Sequence, residues 1–232
     1  MSTRRSETVR APKLPAALEI GFGPQLVADA DVAGVAFEGF DAEDLDLAGS
    51  SFDGVRFDRC RLERSDLRSA RLIDTVLERC DLATAMMEGA ELIRVAMVEC
   101  GLVGVDLSSA RLHDVRLVGC RIDLASLRFT NFVAVRFESC SMRSADLHGA
   151  VLTGVRFDGC DLTEADLTIT TADDVDLRGS RLVDGRGAGH LRGARIDDLQ
   201  LGQIARSLAL DAGIEIESGE PGGATDHDEA RR

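Results

Sequence analysis

The sequence predicts an all-β solenoid, a four-sided β-helix of about eight 20-residue coils with a C-terminal capping α-helix. Three observations carry this. From Val32 to Leu182 one phase returns at every fifth position without insertion or deletion, and 29 of its 31 residues are Leu, Phe, Met, Ile or Val; Ala42 and Ala172 are the exceptions. Helices repeat near 3.6 residues and strands at 2, so a strict period of five belongs to neither. All six cysteines (60, 80, 100, 120, 140 and 160) lie two residues before this phase and 20 residues apart. Valine takes the equivalent place one unit earlier, at 55, 95, 115, 135, 155 and 175. Four fives therefore close one turn, and each residue sits above the one 20 positions before it. Stacked coils pair like parallel strands, with a rise of about 4.8 Å per turn.

The chain divides accordingly. Residues 1–21, polar and basic with Pro12 and Pro15, read as a flexible arm. Residues 22–196 form the coil, entered through Phe22, Leu26 and Val27, which fold over its open end. The Leu/Phe centre and the small residue two before it point inward. Gly recurs two after the centre, where a corner requires positive φ. After Leu182 the phase slips by one, with a loop at 184–190 and new centres at Leu191 and Ile196. Residues 197–216 read as a capping and dimerisation helix followed by a short strand at Ile214 and Ile216. The helix starts at Asp197 or Asp198 and stops at Gly213. Leu201, Ile204, Ala205 and Leu208 give it an apolar face. Residues 217–232 read as a disordered tail.

The triplets SDL (65–67), CDL (80–82), VDL (105–107) and ADL (145–147 and 165–167) resemble the A(D/N)LXX motif of pentapeptide repeat proteins. The resemblance covers about two thirds of the chain and implies that family's fold, a right-handed quadrilateral β-helix. The 20-residue cysteine spacing and the terminal helix are similar to an actinobacterial group of the family. More distantly, the acidic rod is similar to the gyrase-protecting, quinolone-resistance branch, whose rods imitate duplex DNA. That resemblance implies DNA gyrase as a partner. Helices at the C-terminal end of some members also imply a homodimer.

Composition narrows the function. The net charge of −14 disfavours direct nucleic-acid binding, which needs a basic surface, and allows a basic protein partner. No apolar run is long enough to span a membrane. Arg4-Arg5 is followed by no apolar stretch, so the expected compartment is the cytoplasm, with reduced thiols. No G-x-S-x-G, P-loop or H-E-x-x-H motif occurs, and His113, His148, His190 and His227 have no ligand or triad spacing. No enzyme activity, metal or cofactor is expected. The cysteines read as compact core fillers.

Three surfaces remain. The residue before the centre on one side is Asp46, Asp66, Asp106, Asp146 and Asp166, with Met86 breaking the column: a candidate acidic mimic face. Same-strand pairs such as Arg56/Asp58, Asp66/Arg68, Arg156/Asp158 and Asp176/Arg178 blur that charge. Ile73, Val76, Ile93, Val98, Val118 and Val133 form a candidate apolar interaction edge. Leu201, Ile204 and Leu208 form a candidate dimer helix. The expected function is a non-catalytic binding rod, in its most concrete form a DNA mimic acting on a type II topoisomerase. The alternative is a scaffold or adaptor for another protein.

Overall fold

The computed structural model describes residues 9–217, which form a parallel β-solenoid of about 8 turns with one C-terminal helix. Neighbouring coils pair in parallel at a constant offset of 20, as in Phe37 with Phe57, Leu72 with Leu92 and Val95 with Val115. The ladder runs through single bridges as well as strands: Arg61 donates its N–H to Phe40 O (2.9 Å), and Asp81 donates to Cys60 O (3.0 Å). Backbone groups are satisfied between coils, so register is fixed by hydrogen bonding as well as by side-chain phase.

Both inward positions are buried from Leu47 to Leu167; near the ends Phe40, Leu45 and Ala172 are half-buried and Thr170 is exposed. Like residues stack: Phe37 on Phe57 at 5.2 Å between centroids, and Phe137 on Phe157 at 5.0 Å. The small inward position has a second role. Its hydroxyls and thiols donate to the carbonyl 23 residues earlier: Ser65 to Ala42 O (2.6 Å), Thr130 to Leu107 O (2.7 Å) and Cys100 to Leu77 O (3.5 Å). The six buried thiols are therefore weak donors to turn carbonyls in addition to core fillers.

Corners adopt left-handed φ whether or not they are glycine. Gly54 (φ 62°) needs its missing side chain, because Pro15 Cδ stands 2.9 Å from where a Cβ would lie. Leu124 (φ 60°) and Phe129 (φ 56°) hold the same conformation with bulky, exposed side chains. After the eighth coil the offset falls to 19, with Asp176 bridging Arg195; a short 3-10 turn at Ala188–His190 absorbs the expected slip.

The two ends differ from expectation. Residues 9–21 are docked and do not form a free arm. Glu19–Ile20 pairs in parallel with Val35 and Ala36, and the segment before it runs along one edge of the rod to Asp114. Residues 1–8 of that arm lie outside the described residues. Leu26 is buried beneath the first coil, but Phe22 and Val27 remain exposed. At the other end, α1 (Asp198–Asp211) has a capping box: Asp197 accepts from Gln200 N–H, and the Gln200 side chain accepts from Asp197 N–H. No strand forms at Ile214–Ile216; Ile214 N–H returns to Ala209 O and closes the helix. Apart from Glu217, the tail at 217–232 lies outside the described residues.

The face by which α1 docks is mostly polar, around a buried Ile204. Asp197, Gln203, Ser207 and Asp211 accept the free N–H groups of Gly179, Leu182, Ala188 and Gly189, while Gln200 donates to Leu177 O and Ser180 O. The helix saturates the last open edge of the sheet, the place where another chain would otherwise add.

Two substitutions test this account through thermal and urea unfolding. Phe137→Ala, which opens a cavity in the aromatic stack, is expected to cost about 3–5 kcal/mol. Leu124→Gly is expected to stabilise by about 0.5–1 kcal/mol, since relief of left-handed strain exceeds the added freedom of the unfolded chain.

Candidate protein-binding surfaces

The acidic column is real as a stack. Asp46, Asp66, Met86, Asp106, Ser126, Asp146 and Asp166 bridge one another in order, so Ser126 interrupts it as well as Met86. The five carboxylates are not equivalent. Asp66 is gripped by Arg68, Asp146 by Arg128 (2.7 Å) and Asp166 by Arg186 (2.9 Å). The Arg68 guanidinium holds Asp66 below the usual carboxylate range. At Asp166 burial pushes the carboxyl up, and bonds from Thr168 and Arg186 outweigh it and bring it down. Asp46 and Asp106 make no ion pair among the described residues; each accepts the N–H two residues on, from Ala48 (3.1 Å) and Ser108 (2.9 Å). Uncompensated charge therefore gathers at the N-terminal half of this side. There a shallow groove of about 620 Å³ runs along small corner residues, Gly49, Ser69, Gly89 and Ser109, lined by Asp29, Asp46 and Glu88 with Arg68 among them, so the acidic charge predominates without being free of a cation.

Charge pairing follows the coil more than the strand. Arg61–Glu63, Asp66–Arg68, Arg121–Asp123 and Asp176–Arg178 pair along their own strand as expected. Arg56 instead reaches Glu78, and Arg156 reaches Asp174, both on the next coil. Arg116 also crosses, gripping Glu138 with two bonds of 2.8 and 2.6 Å. Pairs between stacked coils are separated by 18 to 22 residues, either directly above, as in Arg94–Asp74, or one diagonal step aside, as in Arg56–Glu78, and same-strand reasoning does not reach them. The stacked Arg116, Arg136 and Arg156 are thus largely neutralised and form no basic stripe.

The apolar edge does not hold together. Ile73 pairs with Ile93, but His113 separates that pair from Val133; Val98 and Val118 lie on the adjoining side, as does Val76. All six are half-buried. The corner between the two sides is occupied by the N-terminal segment, so no continuous apolar strip faces solvent there.

The candidate dimer helix is also rearranged. Ile204 is buried against the coil and Leu208 is half-buried, whereas Leu201 is 52% exposed. The stripe was expected to seal the coil; Ile204 and Leu208 do pack on it, while Leu201 and Ala205 turn outward beside the polar contacts. Leu199 and Leu210 are exposed as well. The recurrence of Asp197, Gln200, Gln203, Ser207 and Asp211 at three and four residues was the overlooked signal.

The histidines stay apart. His113 Nδ1 lies 3.0 Å from Asp114, His148 packs edge-on against Phe129, and His190 ends the 3-10 turn; His227 falls outside the described residues.

Salt bridges at the coil end link stability to pH. The Arg178 guanidinium, with Arg195 beside it, holds Asp176 down to about 2. A depressed carboxylate stabilises the fold above its unfolded pKa, and that contribution disappears as pH falls through the folded value. The melting temperature is expected to fall between about pH 4 and pH 2. Asp176→Asn should lower it at pH 7 and flatten that part of the profile, as read by circular dichroism.

Two family models match the repeats. The model of the pentapeptide repeat region matches residues 90–167, and the model of pentapeptide repeats in eight copies matches residues 65–102. No curated protein matches the chain. Among solved structures it is similar to HetL, a pentapeptide repeat protein involved in heterocyst differentiation regulation from the cyanobacterium Nostoc sp. strain PCC 7120. The identity is 17%, over 73% of this chain and 90% of HetL, with a TM-score of 0.37. It is also similar to a trypsin-treated form of QnrB1, a plasmid-mediated fluoroquinolone resistance protein, at 22% identity over 87% of this chain and all of that one, with a TM-score of 0.39. A pentapeptide repeat protein from the Arabidopsis thaliana thylakoid lumen matches at 18% identity over 73% of this chain and 77% of its own, with a TM-score of 0.23. The five-residue phase, the four-sided coil and the two matching models agree: residues 65–167 are a pentapeptide repeat region, carried within a four-sided parallel β-solenoid of about 8 turns.

Proposed function

We propose that the chain is a non-catalytic rod that acts in the cytoplasm by presenting its acidic side to a basic protein surface. The observation that carries this reading is the unpaired charge of Asp46 and Asp106 beside the groove at Gly49–Ser109. A rod with a net charge of −14 is repelled by nucleic acid and attracted to proteins that bind it. In its concrete form the partner is a type II topoisomerase such as DNA gyrase, and the acidic side takes the place of a DNA segment. Only part of the Asp column supports that form, because Asp66, Asp146 and Asp166 are neutralised by arginine. The contact then centres on the N-terminal half of the rod.

Gyrase supercoiling measured against increasing protein tests the reading. Inhibition or protection is expected, weakened about tenfold or more in the Asp46→Asn/Asp106→Asn double variant. No effect at a large molar excess would falsify the gyrase form.

Self-association through α1 accompanies this reading, supported by the outward Leu201 and its exposed neighbour Leu199. Size-exclusion chromatography with light scattering is expected to find a dimer. Leu201→Asp should convert it to a monomer with an unchanged circular dichroism spectrum; a dimer that persists removes the helix as the joint.

A further inference from the structure

Residues 10–15 cross the coils lengthwise instead of winding with them. Arg10 donates its backbone N–H to one oxygen of Asp114 (3.1 Å) and its Nε–H to the other (2.6 Å). Three residues on, Lys13 donates its N–H to Asp74 Oδ1 (2.9 Å). Pro15 then lies over Gly54, with Gly34 next along the same edge. The dimensions are commensurate. Two coils rise about 9.6 Å, and three residues of an extended polyproline-type chain advance about 9.3 Å. An N–H at every third residue therefore meets a carboxylate on every second coil. Pro12 and Pro15 lie between and beyond these donors and leave no N–H unsatisfied.

The edge beneath is shaped for this. With the segment in place Gly54, Asp74 and Asp114 are covered and Arg94 is half-buried, whereas the corresponding corners on the next edge, Arg59, Arg79, Glu99 and Gly119, are exposed. The two carboxylates differ in what they read. Asp74 is already gripped by Arg94 through bonds of 2.7 and 2.6 Å, so the segment supplies it with only a backbone N–H. Asp114 has His113 beside it and Arg94 one coil away, but the guanidinium that bonds to it comes from Arg10. Asp114 therefore selects for arginine, and Gly54 and Gly34 admit a proline ring.

We propose that this edge is a peptide-binding groove. Its ligand is an extended, proline-containing segment with an arginine over Asp114, and residues 10–15 are a resident occupant that a partner protein's segment of the same chemistry can replace. Most of the contacts are made by main-chain N–H groups and one guanidinium, which is itself 63% exposed. Such contacts do not depend on which chain supplies them. The acidic groove at Gly49, Ser69, Gly89 and Ser109 lies on the adjacent corner, one face away from this edge at Gly54, Asp74 and Asp114, and shares no residue with it.

The test uses the full chain and a fluorescein-labelled peptide of residues 7–20, followed by fluorescence anisotropy. Native protein should bind weakly, because the tethered segment competes at an effective concentration near the millimolar range. Arg10→Glu in the chain sets a carboxylate against Asp114, loosens the resident segment and leaves the groove intact. Peptide affinity should then rise about tenfold or more. Adding Asp114→Asn should abolish the gain, and a peptide carrying Arg10→Glu should not bind. Circular dichroism of each variant establishes that the coil persists; Pro15→Gly provides a second way to loosen the segment should Arg10→Glu misfold. A concentration-dependent dimer dispersed by the peptide would support the groove with a second copy as donor. The proposal is overturned if folded, loosened chains show no anisotropy change at about 1 mM peptide, or if they bind the Arg10→Glu peptide equally well.

Discussion

Everything in this molecule depends on backbone pairing at a fixed offset of 20 residues. That ladder makes a residue's neighbour the equivalent residue of the next coil, so burial, charge pairing and corner geometry repeat down columns. It also makes each coil dependent on the coils beside it, because a single turn cannot bury its own inward face. The side chains follow the ladder. Phenyl rings stack because the register places them there, and thiols and hydroxyls on the inner wall reach carbonyls of the preceding coil.

The same ladder explains what was legible in the sequence. Inward residues are set by a local period, so Phe57, Leu62 and Cys80 could be placed without a structure. The slip after Leu182 was visible for the same reason, and it appears as the offset of 19 between Asp176 and Arg195. Features that depend on the space between columns were not visible. The Arg56–Glu78 and Arg156–Asp174 pairs are diagonal steps between coils. The docking face of α1 was read only in part: Ile204 and Leu208 meet the core as its period implies, but most of the contact is with an open sheet edge. An edge requires hydrogen-bond partners, and Gln200 and Asp197 supply them while Leu201 turns outward. The N-terminal segment was the largest miss. Nothing local to Arg10 or Lys13 points to carboxylates 104 and 61 residues away.

The candidate surfaces were legible as columns and illegible as fields. The Asp46–Asp166 stack is where the motif puts it, but its charge depends on which arginines lean over from neighbouring coils. Two aspartates of one motif, Asp66 and Asp106, end up in different electrostatic states because one has Arg68 two residues on and the other has Ser108. The apolar edge failed for a related reason. The four-sided section puts Ile93 and Val98 on different sides of a corner, although both point outward.

The lengthwise N-terminal segment imposes an order on the molecule's assembly. Arg10 leaves the ribosome 104 residues before Asp114. At ordinary rates of synthesis that separation is about 5–20 s. The first coils must therefore wind while the segment that later spans them has no complete seat. Winding can begin from neighbour contacts alone, and the segment closes over the edge only once the fifth coil exists. It then ties those coils together in a way that nearest-neighbour stacking does not. The early half of the rod changes from a series of separable turns into one cooperative block, late and in a single step.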